Sequence, residues 1–352
     1  MTGDPIPVFD GHNDILLRLA RRGADKAVEL FAGSGGGHID LPRARTGNFA
    51  GGLFAVFPPP LTMPNMAGSM RGPAYDMPLP PQLALEHAQA ATLGMVAILL
   101  RLQRALPEDL AVCRDTAEIR AAMASGRIAA VLHIEGAEPI DADFLALDVF
   151  HAAGLRSLGL VWSRSNIFAH GVPFRFPGSP DTGEGLSEAG RALVRACNDR
   201  RILVDLSHLN EKGFWDVAAV TSAPLVATHS NVHALCPSAR NLTDRQLDAI
   251  RESRGLVGLN FATCFLRPDG AMRADTELDL MRRHLDALIE RLGEGGVGFG
   301  SDFDGAVVPK AIGDVAGLPR LMEHLRDAGY PEALLRRIAC DNWLDLLERT
   351  WA

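Results

Sequence analysis

The chain carries only five cysteines, Cys113, Cys197, Cys236, Cys264 and Cys340, an odd set with no paired spacing. That pattern excludes a disulfide framework and a thiolate zinc ribbon, and these cysteines read as reduced and mostly buried. Lysine is scarcer still: of 35 basic residues only Lys26, Lys212 and Lys310 are lysines. No basic block occurs, and 43 acidic residues against 35 basic ones leave a formal charge of -8. A phosphate backbone is therefore a poor partner, and nucleic acid is disfavoured as a ligand. No apolar run approaches the roughly 18 residues of a spanning helix. Residues 1–7 lack a basic segment leading into an apolar core, and residues 344–352 are too short and too charged for an anchor-addition signal. The expectation is a cytoplasmic enzyme without a membrane anchor.

What is present is an ordinary globular composition, with 47% hydrophobic and 22% charged residues in 352. Short apolar runs bounded by Gly, Pro, Asn or Asp recur at 6–9, 52–57, 129–134, 157–161, 202–206, 225–228, 256–261 and 297–300. Helical spacing fills 83–106, 116–125, 142–153, 184–200, 211–221, 243–253 and 276–292. Thr243 with Gln246 has the form of a capping box, and Ser187 with Gly190 marks another helix start. Eight strand runs with helical stretches between them predict an α/β fold, a (β/α)8 barrel of the TIM type, with residues 1–352 as a single domain. Two segments rich in Pro and Gly, 58–81 after the second strand and 171–185 after the fourth, read as long loops without regular elements. Both would lie over the carboxyl-terminal face of the barrel, where such folds keep their sites.

Chemistry-bearing residues follow the strand runs directly. They are Asp10-Gly11-His12-Asn13-Asp14 after the first, His133-Ile134-Glu135-Gly136 after the third and Asp205-Leu206-Ser207-His208 after the fifth. Thr228-His229-Ser230 follows the sixth run, and Gly300-Ser301-Asp302-Phe303-Asp304-Gly305 the eighth. Taken singly, His208 or His229 is more often a hydrogen-bonded structural histidine, and a His-x-Asp pair such as His12 with Asp14 is weak evidence. In an extended run, that spacing aims both side chains the same way. Glu135 ends a very apolar run, where a lone carboxylate is costly unless paired or bound to metal. Five strand ends carrying such residues together point to one metal pocket. Imidazole and carboxylate donors without cysteine suit zinc, manganese, cobalt or iron. A bridging carboxylate would allow two metals. No lysine lies between Lys26 and Lys212 to serve as a carbamylated bridge at the fourth strand, so the bridge would be Glu135.

With these motifs, and with Ser238-Ala239-Arg240-Asn241-Leu242-Thr243-Asp244, the whole chain resembles the membrane (renal) dipeptidase family of metallopeptidases, a branch of the amidohydrolase-like barrels. The resemblance implies a barrel that binds two Zn2+ ions, other divalent transition metals being compatible. His12 and Asp14 would hold one, His208 and His229 the other, and Glu135 would bridge them. It further implies a dipeptide substrate whose carboxylate meets Arg240, and Asp302 relaying protons as a metal-bridging hydroxide attacks. Family members tolerate a D-residue at the second position, so L-L and L-D dipeptides are the expected substrates, and their frequent dimers allow a homodimer.

The chain departs from the renal pattern at two places. Trp162 stands where renal-type members carry a histidine after the fourth strand; it offers one N–H donor and an apolar wall but no cationic form. His170, on the next loop, has two readings: a replacement for that histidine or, more simply, a solvent-facing loop residue. After the seventh strand, Asn260-Phe261-Ala262-Thr263-Cys264-Phe265 lacks the renal tyrosine, leaving the substrate carboxylate to Arg240, and Cys264 reads as a core thiol. Arg175, between Phe174 and Phe176, has two readings: a contact to an acidic substrate side chain, or a cation stacked on its neighbours. Met63, Met66 and Met70 read as loop packing or a subunit contact. Two rival readings remain at this level: another amidohydrolase-type hydrolase acting on a cyclic amide, lactone or deaminase substrate, and a non-catalytic metal-binding barrel.

Overall fold

A computed structural model of the chain describes residues 5–34, 36–63 and 65–352, so the N-terminal reading lies partly outside the described residues, at 1–4. The strands in chain order are β1 Val8–Asn13, β2 Phe49–Val56, β3 Tyr75–Asp76, β4 Leu110–Val112, β5 Ile128–Glu135, β6 Leu155–Gly159, β7 Arg175–Phe176, β8 Leu203–Asp205, β9 Val226–Ser230, β10 Leu256–Asn260 and β11 Val297–Gly300. The sheet runs β2-β1-β11-β10-β9-β8-β6-β5, and a further pairing of β2 with β5 closes it. All these pairings are parallel, from Asp10 opposite Phe299 round to Gly51 opposite Ala129. This closed ring of eight parallel strands with helices outside is the expected (β/α)8 barrel.

Helices return the chain between strands, for example Leu85–Ala105, Glu188–Asp199, Asp244–Glu252 and Leu278–Leu292. Their starts follow the local chemistry. Thr243 and Gln246 form the capping box, and the Ser187 side chain accepts from the Gly190 N–H, each supplying partners to otherwise orphaned helix-end groups.

Three details differ from the sequence reading. β4 had no sequence signal; it takes the first half of β5, with Leu110 opposite Ile128, while β6 takes the second half from Leu132 onward. The strands that carry His12, Glu135 and His229 run on through those residues, because strand pairing is made by the backbone and continues beneath polar side chains that a hydrophobicity pattern reads as a strand end. The two long loops also contain regular structure. Met66–Ser69 forms a helical turn, and β3 pairs antiparallel with β7, Tyr75 opposite Phe176 and Asp76 opposite Arg175. Each loop thus straps the other.

The starts of the strands form an apolar floor. Phe9, Leu53, Val131, Leu203, Val226 and Leu256 pack with Trp343, Leu346 and Leu347 of the C-terminal helix Asn342–Trp351. Trp343 is fully buried, and its Nε1 donates to the Phe299 carbonyl at 2.9 Å. Its ring fills the space a Cβ would need at Gly11 and Gly298, on neighbouring strands, which is why those positions are glycine. All five cysteines are free and buried, as their spacing implied. Among the described residues no helix is long and apolar enough to cross a membrane.

Candidate metal centre and active site

The carboxyl ends of the strands aim a cluster of buried polar groups at one point. His12 Nε2 lies 3.4 Å from Asp14 Oδ2 and 3.8 Å from Glu135 Oε2. The other oxygen of the same carboxylate, Glu135 Oε1, lies 3.1 Å from His208 Nε2 and 3.6 Å from His229 Nε2. Glu135 therefore stands between two sets of donors, one oxygen to each. Potential ligand atoms of His12, Glu135 and His229, and of His12, Asp14 and Asp302, fall within 4.8 Å of one another. His208 joins through Glu135 rather than through a close group of its own.

The His12–Asp14 contact does not arise as the spacing suggested. β1 ends at Asn13, and Asp14 is already the N-cap of the helix Ile15–Arg22, at φ -106° and ψ 25°. The turn into the helix, not the alternation of a strand, brings the carboxylate round to the imidazole. Backbone strain also gathers here: His208, Asp302 and Asp304 adopt positive φ of 66°, 58° and 68°, a region non-glycine residues rarely occupy and one that recurs at functional sites.

Second-layer hydrogen bonds fix the imidazoles. Asp205 accepts from the backbone N–H groups of Ser207 and Thr228 and from the Thr228 hydroxyl at 2.6 Å. Because that hydroxyl's proton goes to Asp205, its oxygen accepts from His229 Nδ1 at 2.8 Å, which leaves the His229 Nε2 lone pair bare. Ser163 Oγ sits 2.9 Å from His208 Nδ1. The Asn260 amide donates to Asp302 Oδ2 at 3.0 Å. Asp205, Thr228 and Asn260 stand in segments quoted from the sequence and Ser163 follows Trp162, but none of the four had a role assigned there; their roles depend on which strands are neighbours.

The residues fit a divalent cation. His12 Nδ1 and Nε2 and His229 Nε2 are buried with no hydrogen-bond partner among the described residues, a costly condition unless something else engages them. Burial, reinforced by the Arg240 and His12 charges, drives the pKa values of His208 and His229 far below the usual imidazole range, so both stay neutral, as ligands must. Burial also raises Glu135 well above the usual carboxylate range and lifts Asp302 to about 6. Burial would lower the His12 pKa, but the Glu135, Asp14 and Asp302 carboxylates push it up to about 10. The cluster thus demands positive charge at its centre.

A cavity opens over this cluster. Its polar end is Asp14, Glu135, His208 and Asp302; its apolar wall is Phe57, Trp162, Phe174 and Phe265, with Met63, Met66 and Met272 nearer the mouth. Trp162 packs its ring 5.0 Å from Phe57, 5.4 Å from Phe174 and 6.0 Å from His208. Behind it the buried Arg164, bound to Glu138 at 2.8 Å, lies over both the Phe57 and Trp162 rings. Met63 and Met66 are therefore cavity wall rather than loop packing alone, and Cys264, with a thiol pKa raised by burial, belongs to the same wall.

Arg240 is 3% exposed, donates to Ser230 Oγ at 2.9 Å and to the His229 carbonyl at 3.0 Å, and lies over Phe265. No carboxylate pairs with it among the described residues, and its Nε is unpartnered. The loop after β6 holds its segment in place, the Ala239 N–H donating to the Arg175 carbonyl. Arg175 itself takes neither expected role: its guanidinium pairs with Asp76 at 2.8 Å across the strap, away from the cavity. His170 is half-buried and hydrogen-bonded to Ser165, outside the cavity wall, and does not replace the missing histidine.

Comparison with known proteins follows this geometry. Residues 4–351 match the membrane dipeptidase family, Peptidase family M19. The chain belongs to that family. It is 57% identical to a dipeptidase AC described as an M19 metallopeptidase, with 98% of this chain and 99% of that one covered at a TM-score of 0.96. A Rhodobacter sphaeroides metallopeptidase, solved with a phosphinate mimic of the dipeptide L-Ala-D-Ala, is 55% identical over 99% of this chain and 100% of its own, with a TM-score of 0.95. An uncharacterized Klebsiella pneumoniae protein from the pqqA 5' region is 48% identical over 73% of this chain and 94% of its own. The resemblance seen in the motifs is thus borne out across the chain, and the protein is a metallo-dipeptidase of this family with the barrel fold the strand pattern predicted.

Proposed function

We propose that this dipeptidase is binuclear, with two zinc ions held by His12, Asp14, Glu135, His208 and His229, and that it cleaves L-L and L-D dipeptides. The observation that carries the reading is the placement of the two Glu135 oxygens, one facing His12 and the other His208 and His229. Bound there, zinc would lower the pKa of water towards neutrality and polarise the scissile carbonyl.

The residues supply the rest. Asp302, oriented by Asn260, takes the proton of the attacking water and returns it to the leaving amine. Arg240 offers the substrate carboxylate a planar cationic fork. Its burial without a carboxylate of its own supports that role, and a longer peptide places no carboxylate at the same distance. Trp162, Phe57 and Phe174 hold the peptide against the metal end and exclude water. The Rhodobacter sphaeroides relative bound to an L-Ala-D-Ala mimic supports acceptance of a D-residue at the second position.

The test is a matched panel of L-L, L-D and D-L dipeptides given to the zinc-reconstituted protein, with the C-amide of the best substrate. The expected result is turnover of L-L and L-D members, lost on amidation. Turnover unaffected by amidation would remove Arg240 from its role, and no turnover of L-D members would remove the stereochemical assignment.

A further inference from the structure

Arg21 is the one arginine among the residues lining the cavity. It is exposed, and no carboxylate lies within 4 Å of it among the described residues. Its neighbours are committed elsewhere: Arg18 lies 3.1 Å from Asp304, Arg164 2.8 Å from Glu138 and Arg175 2.8 Å from Asp76. Asp304, in the same cavity wall, is engaged by Arg18 and also by the His38 N–H at 2.6 Å, so it does not neutralise Arg21.

The helix Ile15–Arg22 begins directly after Asp14. Leu17 and Arg21 follow Asp14 at three and seven residues, on one helical face, and all three line the cavity. The stripe climbs from the metal end to the mouth, about 10 Å at the helical rise per residue. Arg240, in contrast, is anchored on β9, three places from β1 around the eight-strand ring. A dipeptide with its carboxylate at Arg240 and its scissile carbonyl over Glu135 sends its first residue towards β1 and this stripe. The wall opposite is apolar, so Arg21 is the group there able to recognise charge.

We propose that Arg21 selects dipeptides whose first residue carries an anionic side chain, a specificity that rests on the dipeptidase reading. Because the guanidinium is exposed, the preference is several-fold rather than absolute, and added salt weakens it.

The experiment compares kcat/KM for Glu-Ala, Gln-Ala and Ala-Ala at low ionic strength in the zinc-loaded wild type, Arg21→Met and Arg21→Glu. Gln-Ala is the neutral near-isostere, so the Glu/Gln ratio isolates charge. The expected wild-type ratio is about fivefold in favour of Glu-Ala. Arg21→Met brings it to about one while changing Ala-Ala turnover less than about twofold, and Arg21→Glu reverses it. A wild-type ratio near one, or a preference that survives Arg21→Met, overturns the proposal while Ala-Ala turnover leaves the dipeptidase reading intact. Absence of turnover on all three substrates overturns both.

Discussion

The two ends of the same eight strands have opposite economies. At the floor, Phe9, Leu53, Val131, Leu203 and Val226 close around Trp343 in an apolar cluster. On β5, four residues beyond Val131, stands Glu135, a buried carboxylate among three buried imidazoles, two of which expose unpartnered nitrogens to one another's surroundings. The floor is packed by the chain's own apolar side chains, whereas the upper end gathers buried carboxylates and imidazoles that call for a cation. One strand thus carries stability at its start and chemistry at its finish, and substitutions at the two ends should separate these properties.

Glu135→Gln attacks the upper end most directly. It should cut kcat/KM on the order of 10³-fold, the loss of several kcal/mol of transition-state stabilisation. Bound zinc should fall with it, while the thermal midpoint of the metal-free protein stays level or rises, since a buried carboxylate is removed. Trp343→Ala attacks the floor. It should cost about 3–5 kcal/mol of stability in a denaturant titration and leave kcat/KM of the folded fraction unchanged. If these outcomes were exchanged, the division between the ends would be wrong.

A third region, between the ends and outside the barrel wall, should respond to pH. His284 is buried, takes the Val232 N–H on Nδ1 at 3.2 Å and sits 3.0 Å from the Leu266 carbonyl through Nε2. Burial lowers its pKa from 6.5 to about 4. The folded protein therefore resists protonating it while the unfolded chain does not. Its contribution is fully present above pH 6.5 and is lost as pH falls towards 4, about 2 kcal/mol of it between pH 7 and pH 5. His284→Asn in the metal-free protein should flatten that part of the stability profile; an unchanged slope would assign the acid sensitivity elsewhere. The smallest effect belongs to the strap. Arg175 and Asp76 are 41% and 56% exposed, so Arg175→Ala should cost no more than about 1 kcal/mol. It should also leave the ratio of activities on acidic and neutral dipeptides unchanged, in contrast to Arg21→Met.

Much of this was legible in the sequence wherever one strand or helix explains itself. The run 297–300 is β11 to the residue, and the Thr243–Gln246 box caps its helix. The metal-site motifs were legible because strand ends converge in any such barrel, so residues following five different strands could be assigned to one place before any contact was known. What escaped depends on partners distant in the chain. β3 and β7 are two residues each and exist only because one loop meets the other. Gly11 has no role in Asp10-Gly11-His12 that its neighbours reveal; Trp343, far along the chain, fills its Cβ position. The Thr228 hydroxyl looks unremarkable until Asp205 of the neighbouring strand takes its proton and so fixes His229. Arg175 carried a substrate contact as one of its two readings and Arg21 carried none, because neither the ion pair with Asp76 nor the stripe above Asp14 has a local signature.

The central claim is that Glu135 joins two ions into one catalytic centre. The most direct measurement is a zinc titration of the metal-free protein in which bound metal per chain and hydrolysis of L-Ala-D-Ala are read from the same samples. The account predicts activity that climbs to its maximum at two equivalents, and a Glu135→Gln protein that fails to retain the second. Activity complete at one equivalent, or two tightly bound ions with no hydrolysis, would contradict it.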